Sequence, residues 1–122
     1  MLLFAYGLLK EGGPLHPNLK LNGVFVRYDK TPPEYTMYRF ATEPGLIHQG
    51  STAIKGELWE VPMKTLSFLE SALNVHAVHT RRTFETSIGY AIFYTVNIKP
   101  DMDLSGFEII ETVDWSSWDP FL

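Results

Sequence analysis

The sequence predicts an α+β domain on a small, strongly curved or closed sheet. Three observations predict it. Five or six short runs have strand-like apolar patterns, each bounded by breaker residues. One segment repeats its apolar residues at three- and four-residue steps, as a helix does. So few strands leave edges that must be hidden, which curvature or closure achieves. With 122 residues, the chain is expected to be one domain, 1–122, large enough for a core without staples.

Leu2 to Tyr6 is the first strand, stopped by Gly7. Glu11 to Pro17 (EGGPLHP) is rich in breakers and predicts a loop. Gly23 to Tyr28 is the second strand. Thr31-Pro32-Pro33 is a stiff connector, because proline fixes φ and drives its predecessor extended. Tyr35 to Phe40 is the third strand, and Ala41 to Ser51, with Pro44, Gly45 and Gly50, predicts a long loop serving a site. Ala53 to Val61 is the fourth strand. It sets Lys55, Glu57 and Trp59 on one face, with Gly56 marking a close backbone approach.

Pro62 suits a first helical position, and Met63, Leu66, Leu69 and Leu73 form one apolar stripe ended by Asn74. Arg81 to Thr86 and Tyr90 to Val96 close the sheet as a strand pair. The second is apolar on both faces and therefore central. Residues 101–122 form an acidic tail that holds Phe107, Ile109, Ile110, Trp115, Trp118 and Phe121 and is expected to dock its aromatics on the domain.

Composition excludes several functions. The chain has no cysteine, so disulfides and thiolate metal sites are out, which fits a cytoplasmic protein. No apolar run is long enough to cross a bilayer. The net charge is −4, yet six acids and no Lys or Arg lie from Asp101 onward, leaving about +2 on residues 1–100. That is no basic stripe, so nucleic acid is not an expected partner. A small anionic ligand is. No cofactor is implied, and a homo-oligomer is left open.

Several stretches together resemble the gamma-glutamylcyclotransferase-like family. LFAYGLLK is similar to that family's first strand and Tyr-Gly-Ser/Thr-Leu turn, and PEYTMYRF with the following PGL is similar to its next segment. STAIKGELWEVP is similar to the strand that enters its helix, and the matches run in order from Leu3 to about Tyr94. The resemblance implies a small mixed β-barrel with flanking helices. It also implies a reaction in which a γ-glutamyl compound attacks its own γ-carbonyl and leaves as 5-oxoproline. That chemistry needs backbone amides to hold a carboxylate and an acid to move a proton. Tyr6, Gly7, Leu8 and Leu9 supply the turn, with Lys10 beside it. Leu8 departs from the usual Ser or Thr.

The acid is where the stretch FLESALNVHAVHTRR departs from the family. Aligned without a gap, Leu73 stands where the family keeps its catalytic Glu, and His79 and Arg81 stand at its Tyr-x-Arg. A gapped alignment makes Glu70 the catalytic acid instead. Three functions follow: a small-molecule-binding protein that has lost its acid and sequesters an anionic metabolite or signal; an active cyclotransferase using Glu70; or an interaction module using the tail. The bland alternatives are a Glu70 paired with a cation, a His76 and His79 without metal, and a Glu57 paired with an arginine. Arg81 and Arg82 point oppositely on a strand, one expected to bond an acid of the domain and the other an anionic ligand.

Overall fold

The computed structural model describes residues 1–40, 43–99 and 101–110. Strand β1 (Leu2–Ala5) leads through a 3₁₀ turn at Gly7–Leu9 into helix α1 (His16–Asn22), then β2 (Val24–Lys30), β3 (Tyr35–Phe40) and β4 (Glu43–Thr52). Strand β5 (Lys55–Glu60), helix α2 (Met63–Ala72), β6 (His79–Thr86) and β7 (Gly89–Val96) follow. Five strands form a mixed sheet in the order β2-β5-β1-β7-β6, in which only β1 and β7 run parallel. Strands β3 and β4 form a separate hairpin.

Alternation along the central strands builds two cores. Leu3 and Ala5 of β1 and Ile92 and Tyr94 of β7 join Leu19 of α1 and Leu66, Leu69 and Leu73 of α2 on one face. Phe4, Ala91 and Phe93 point the other way, onto Tyr35, Met37 and Leu46 of the hairpin. The molecule is thus layered helices, sheet, hairpin.

The α+β class holds, but the sheet does not close into a barrel: β2 and β6 remain its two edges. The hairpin lies across one face as a second layer instead of bridging those edges. Two local expectations also change. The long loop of residues 41–51 is largely strand β4, because its glycines serve strand geometry. A side chain at Gly45 would strike the Phe40 ring at 2.3 Å. Gly50 adopts φ +140 in a bulge where the register jumps from Thr36↔Ile47 to Tyr35↔Thr52. Helix α1 begins inside the expected loop, because Pro17 is tolerated in a first helical turn and Leu19 gives the short helix a buried anchor. In α2 the stripe holds at Leu66, Leu69 and Leu73, whereas Met63 is 61% exposed. Trp115, Trp118 and Phe121 lie outside the described residues.

Gly56 has the close neighbour its position in a strand predicted. A Cβ there would lie 2.6 Å from the Ala5 carbonyl oxygen and 2.6 Å from Cζ of Phe4. The carbonyl belongs to the paired strand and cannot swing aside. Gly56→Ala is expected to cost about 3 kcal/mol, the upper range for overpacking. Urea unfolding checks this, and an unchanged midpoint would refute the close-approach account.

Candidate functional site

The chain leaves β1 at Ala5 and turns sharply at Gly7, whose φ of +56 suits glycine. The Leu9 and Lys10 amides close the turn onto the carbonyls of Tyr6 and Gly7. The first two amides, of Gly7 and Leu8, stay outside those bonds, as at any helical start. Beside the turn is a crevice lined by Tyr6, Leu8, Leu9, Pro44, Leu73, His79 and Tyr94. It leaves about 20 Å³ free, room for one water.

Leu73, the C-cap of α2, is 7% exposed and forms part of this lining. Asn74 follows with φ +53, reversing the chain so that β6 begins beside the helix end. Nδ1 of His79 lies 2.6 Å from the Leu73 carbonyl, so the ring donates there and its Nε2 is the acceptor in the neutral form.

Glu70 is one turn back, outside the crevice lining. Its Oε2 accepts from Nε of Arg81 at 2.5 Å and from the Tyr94 hydroxyl at 2.8 Å. Partial burial pushes its carboxyl upward, but the bonds from Arg81 and Tyr94 and the charge of Arg81 outweigh that and hold it below the usual range. The Tyr94 hydroxyl is pushed up, first by burial and then by donating to Glu70. Tyr6 is also pushed up by burial, and its hydroxyl donates to the Tyr94 carbonyl. The crevice therefore holds two protonated phenols and no carboxylate among the described lining.

A group whose folded pKa is lowered stabilises the fold above its unfolded pKa and loses that contribution as pH falls through the folded value. Arg81 is 40% exposed, so the pair is screened and contributes no more than about 1 kcal/mol. Glu70→Gln is expected to be slightly less stable than the wild type at neutral pH. The difference should begin to shrink as pH falls into the ordinary carboxylate range and vanish only at more acid pH, once the folded carboxyl is protonated. Denaturant midpoints across pH check it, and a gap that widened in acid would contradict the ion pair.

Of the residues singled out in the sequence, Tyr6, Leu8, Leu9, Leu73 and His79 converge on the crevice, and Gly7 shapes it. Lys10 is buried and engaged with a partner. Arg81 lies elsewhere, tied to Glu70 and lining a larger cleft along β6. Among the described residues, no arginine ion pair to Glu57 is seen. Its buried carboxylate accepts from Nε1 of Trp59 at 3.0 Å and the Glu11 amide at 3.1 Å, with Nδ1 of His16 3.9 Å away. Sequence reasoning missed Tyr94, which looks like any inward residue of a central strand, and Pro44, which only the hairpin brings to the turn. Among the described residues no group of three or more His, Asp or Glu could hold a metal ion, and no helix is long and apolar enough to cross a membrane.

A glycine-started amide turn after the first strand, in a mixed sheet beside a helix that ends at the same crevice, is the arrangement that the resemblance to the gamma-glutamylcyclotransferase-like family implies. A family model described as the allophanate hydrolase C-terminal domain matches residues 1–92. A Vibrio cholerae protein named "Putative gamma-glutamylcyclotransferase" is 33% identical over 93 residues, covering 76% of this chain and 79% of its own. The solution structure of Escherichia coli ytfP superposes with a TM-score of 0.72 at 23% identity, covering 95% of this chain and 96% of its own. The crystal structure of an AIG2-like protein from Mus musculus gives a TM-score of 0.70 at 20% identity, covering 82% and 80%. The chain belongs to the gamma-glutamylcyclotransferase-like family.

Proposed function

We propose that the protein binds a small anionic metabolite on this scaffold without turning it over. The observation that carries this reading is the placement of Leu73. It lines the crevice with the amide turn, while Glu70 is committed to Arg81 and Tyr94 outside that lining. A leucine moves no proton, and general acid–base help is worth about 10²–10⁴ in rate. The amides of Gly7 and Leu8 suit a ligand's anionic group, and Leu73 suits an apolar portion. Sequestration of a metabolite or signal is the role that binding without turnover serves. The crevice must widen to admit more than one water, so binding is expected to shift the resonances of Leu73 and Pro44.

The test pairs two measurements. Calorimetric titration with small carboxylates and phosphates, alone and from fractionated cell extract, is expected to find saturable binding. Incubation with γ-glutamyl amino acids and amines is expected to release no 5-oxoproline. Absence of any ligand would overturn the proposal.

One observation favours a second reading, an active cyclotransferase using Glu70. Tyr94 lines the crevice and its hydroxyl donates to Glu70, so one hydrogen bond ties a carboxylate to a residue of the lining. Release of 5-oxoproline that is abolished by Glu70→Gln would establish that reading and dismiss the first.

A further inference from the structure

A cleft of about 600 Å³, far roomier than the crevice, lies between the edge strand β6 and the start of the β3–β4 hairpin. Its volume falls in the range of small-molecule sites. Its walls are mixed: Pro32, Tyr35 and His48 on the hairpin side, Arg82 and Glu85 of β6 opposite, and Tyr90 at the rim.

Arg82 is the distinctive group. It faces away from Arg81, towards the hairpin, as alternation on β6 requires. Its Nε donates to Oγ1 of Thr95 at 2.7 Å, and Thr95 is 1% exposed. That bond fixes the plane of the guanidinium while leaving its two terminal nitrogens available. Among the described residues Arg82 makes no ion pair, whereas Arg81 is bound to Glu70. A half-buried, pre-oriented guanidinium without an ion pair among the described residues, set in a roomy cleft, is suited to a planar anionic group.

The aromatic groups set the rest of the ligand. The ring of His48 stacks on Tyr35, with centroids 4.9 Å apart and planes 30° off parallel. Nε2 of His48 is held at 3.3 Å from Glu34, another residue of the cleft. Tyr35 is pushed up by burial and by Glu34, and pulled down by Arg82, so charges of both signs act on its ring. Glu34 and Glu85 make the cleft unfavourable for a dianion. A single negative charge answers Arg82 without large repulsion from them.

We propose that this cleft is a second binding site, distinct from the crevice at the amide turn, for a small molecule with a planar ring and one monoanionic group. That group is a carboxylate or a phosphodiester. The anion meets the terminal nitrogens of Arg82, and the ring packs against Tyr35, His48 and Pro32.

Titration of ¹⁵N-labelled protein with an aromatic carboxylate and with a cyclic nucleoside monophosphate tests this, with inorganic phosphate as the ringless control. Saturable shifts are expected along β6 and at His48 with at least one ring-bearing probe. Arg82→Lys keeps the charge but loses the fork and its bond to Thr95, and is expected to weaken that binding about tenfold in a protein that still folds, with a small fall in melting temperature. His48→Ala removes ring contact at an exposed position and is expected to weaken it severalfold. Leu73→Glu, altered in the crevice, is expected to bind equally well, which separates this site from the one proposed above. The proposal is overturned if neither ring-bearing probe saturates at millimolar concentration. It is also overturned if inorganic phosphate binds as tightly, or if both Arg82→Lys and His48→Ala bind like the wild type.

Discussion

If the protein binds without turnover, Leu73→Glu is expected to gain release of 5-oxoproline from γ-glutamyl compounds, by a factor on the order of 10²–10⁴ over the unsubstituted protein. The new carboxyl would stand in the crevice lining beside the Gly7 turn, among Tyr6, Leu9 and Tyr94. Those surroundings desolvate it and raise its pKa toward the range where a general base works at neutral pH. His79 would continue to hold the backbone at position 73, since it bonds the carbonyl and not the side chain. The same substitution costs stability. It removes the burial of a leucine, about 1.5–3 kcal/mol, and strands a polar group in an apolar place. A lowered melting temperature should therefore accompany the gain. Product formation against pH is the measurement. A wild type as active as the variant would show that Leu73 does not mark a missing acid. A folded but inactive variant would show that the turn, with Leu8 where relatives keep a hydroxyl, no longer seats a γ-glutamyl group.

Glu57→Leu is expected to destabilise the fold by about 3–5 kcal/mol. Glu57 is 2% exposed, and each of its oxygens has a donor, from Trp59 on one side and the Glu11 amide on the other. Each buried donor left without a partner costs about 1–3 kcal/mol. The Glu11 bond ties the segment after the amide turn to strand β5, so the substitution is also expected to weaken ligand binding at the crevice. Glu57→Gln keeps the shape and an acceptor, and is expected to lose less than half as much. Chemical denaturation of both variants checks the order. Equal losses would mean that size, not hydrogen bonding, governs the position.

Much of the layout was legible because local pattern and burial agree. The run Leu66, Leu69, Leu73 could only be a helix stripe. The apolar β7 could only be interior. Gly56 inside a strand announced its close neighbour. Arg81 and Arg82 had to diverge, and one does bond a domain acid. Other parts were illegible because their cause is remote. The glycines of residues 41–51 look like loop residues unless the Phe40 ring and Thr36 are known to press on them. The partners of Glu57 come from Trp59, Glu11 and His16, and no spacing rule joins those three.

The amino-acid sequence by itself determined the α+β class, the family membership, the amide turn and the apolar residue at position 73, because each is written in contiguous residues. Tertiary structure alone decided that the sheet stays open, that Glu70 serves Arg81 and Tyr94, and that Arg82 faces the cleft beside the hairpin. These depend on which strands become edges and which layer covers them, and that is settled by packing between segments far apart in the chain.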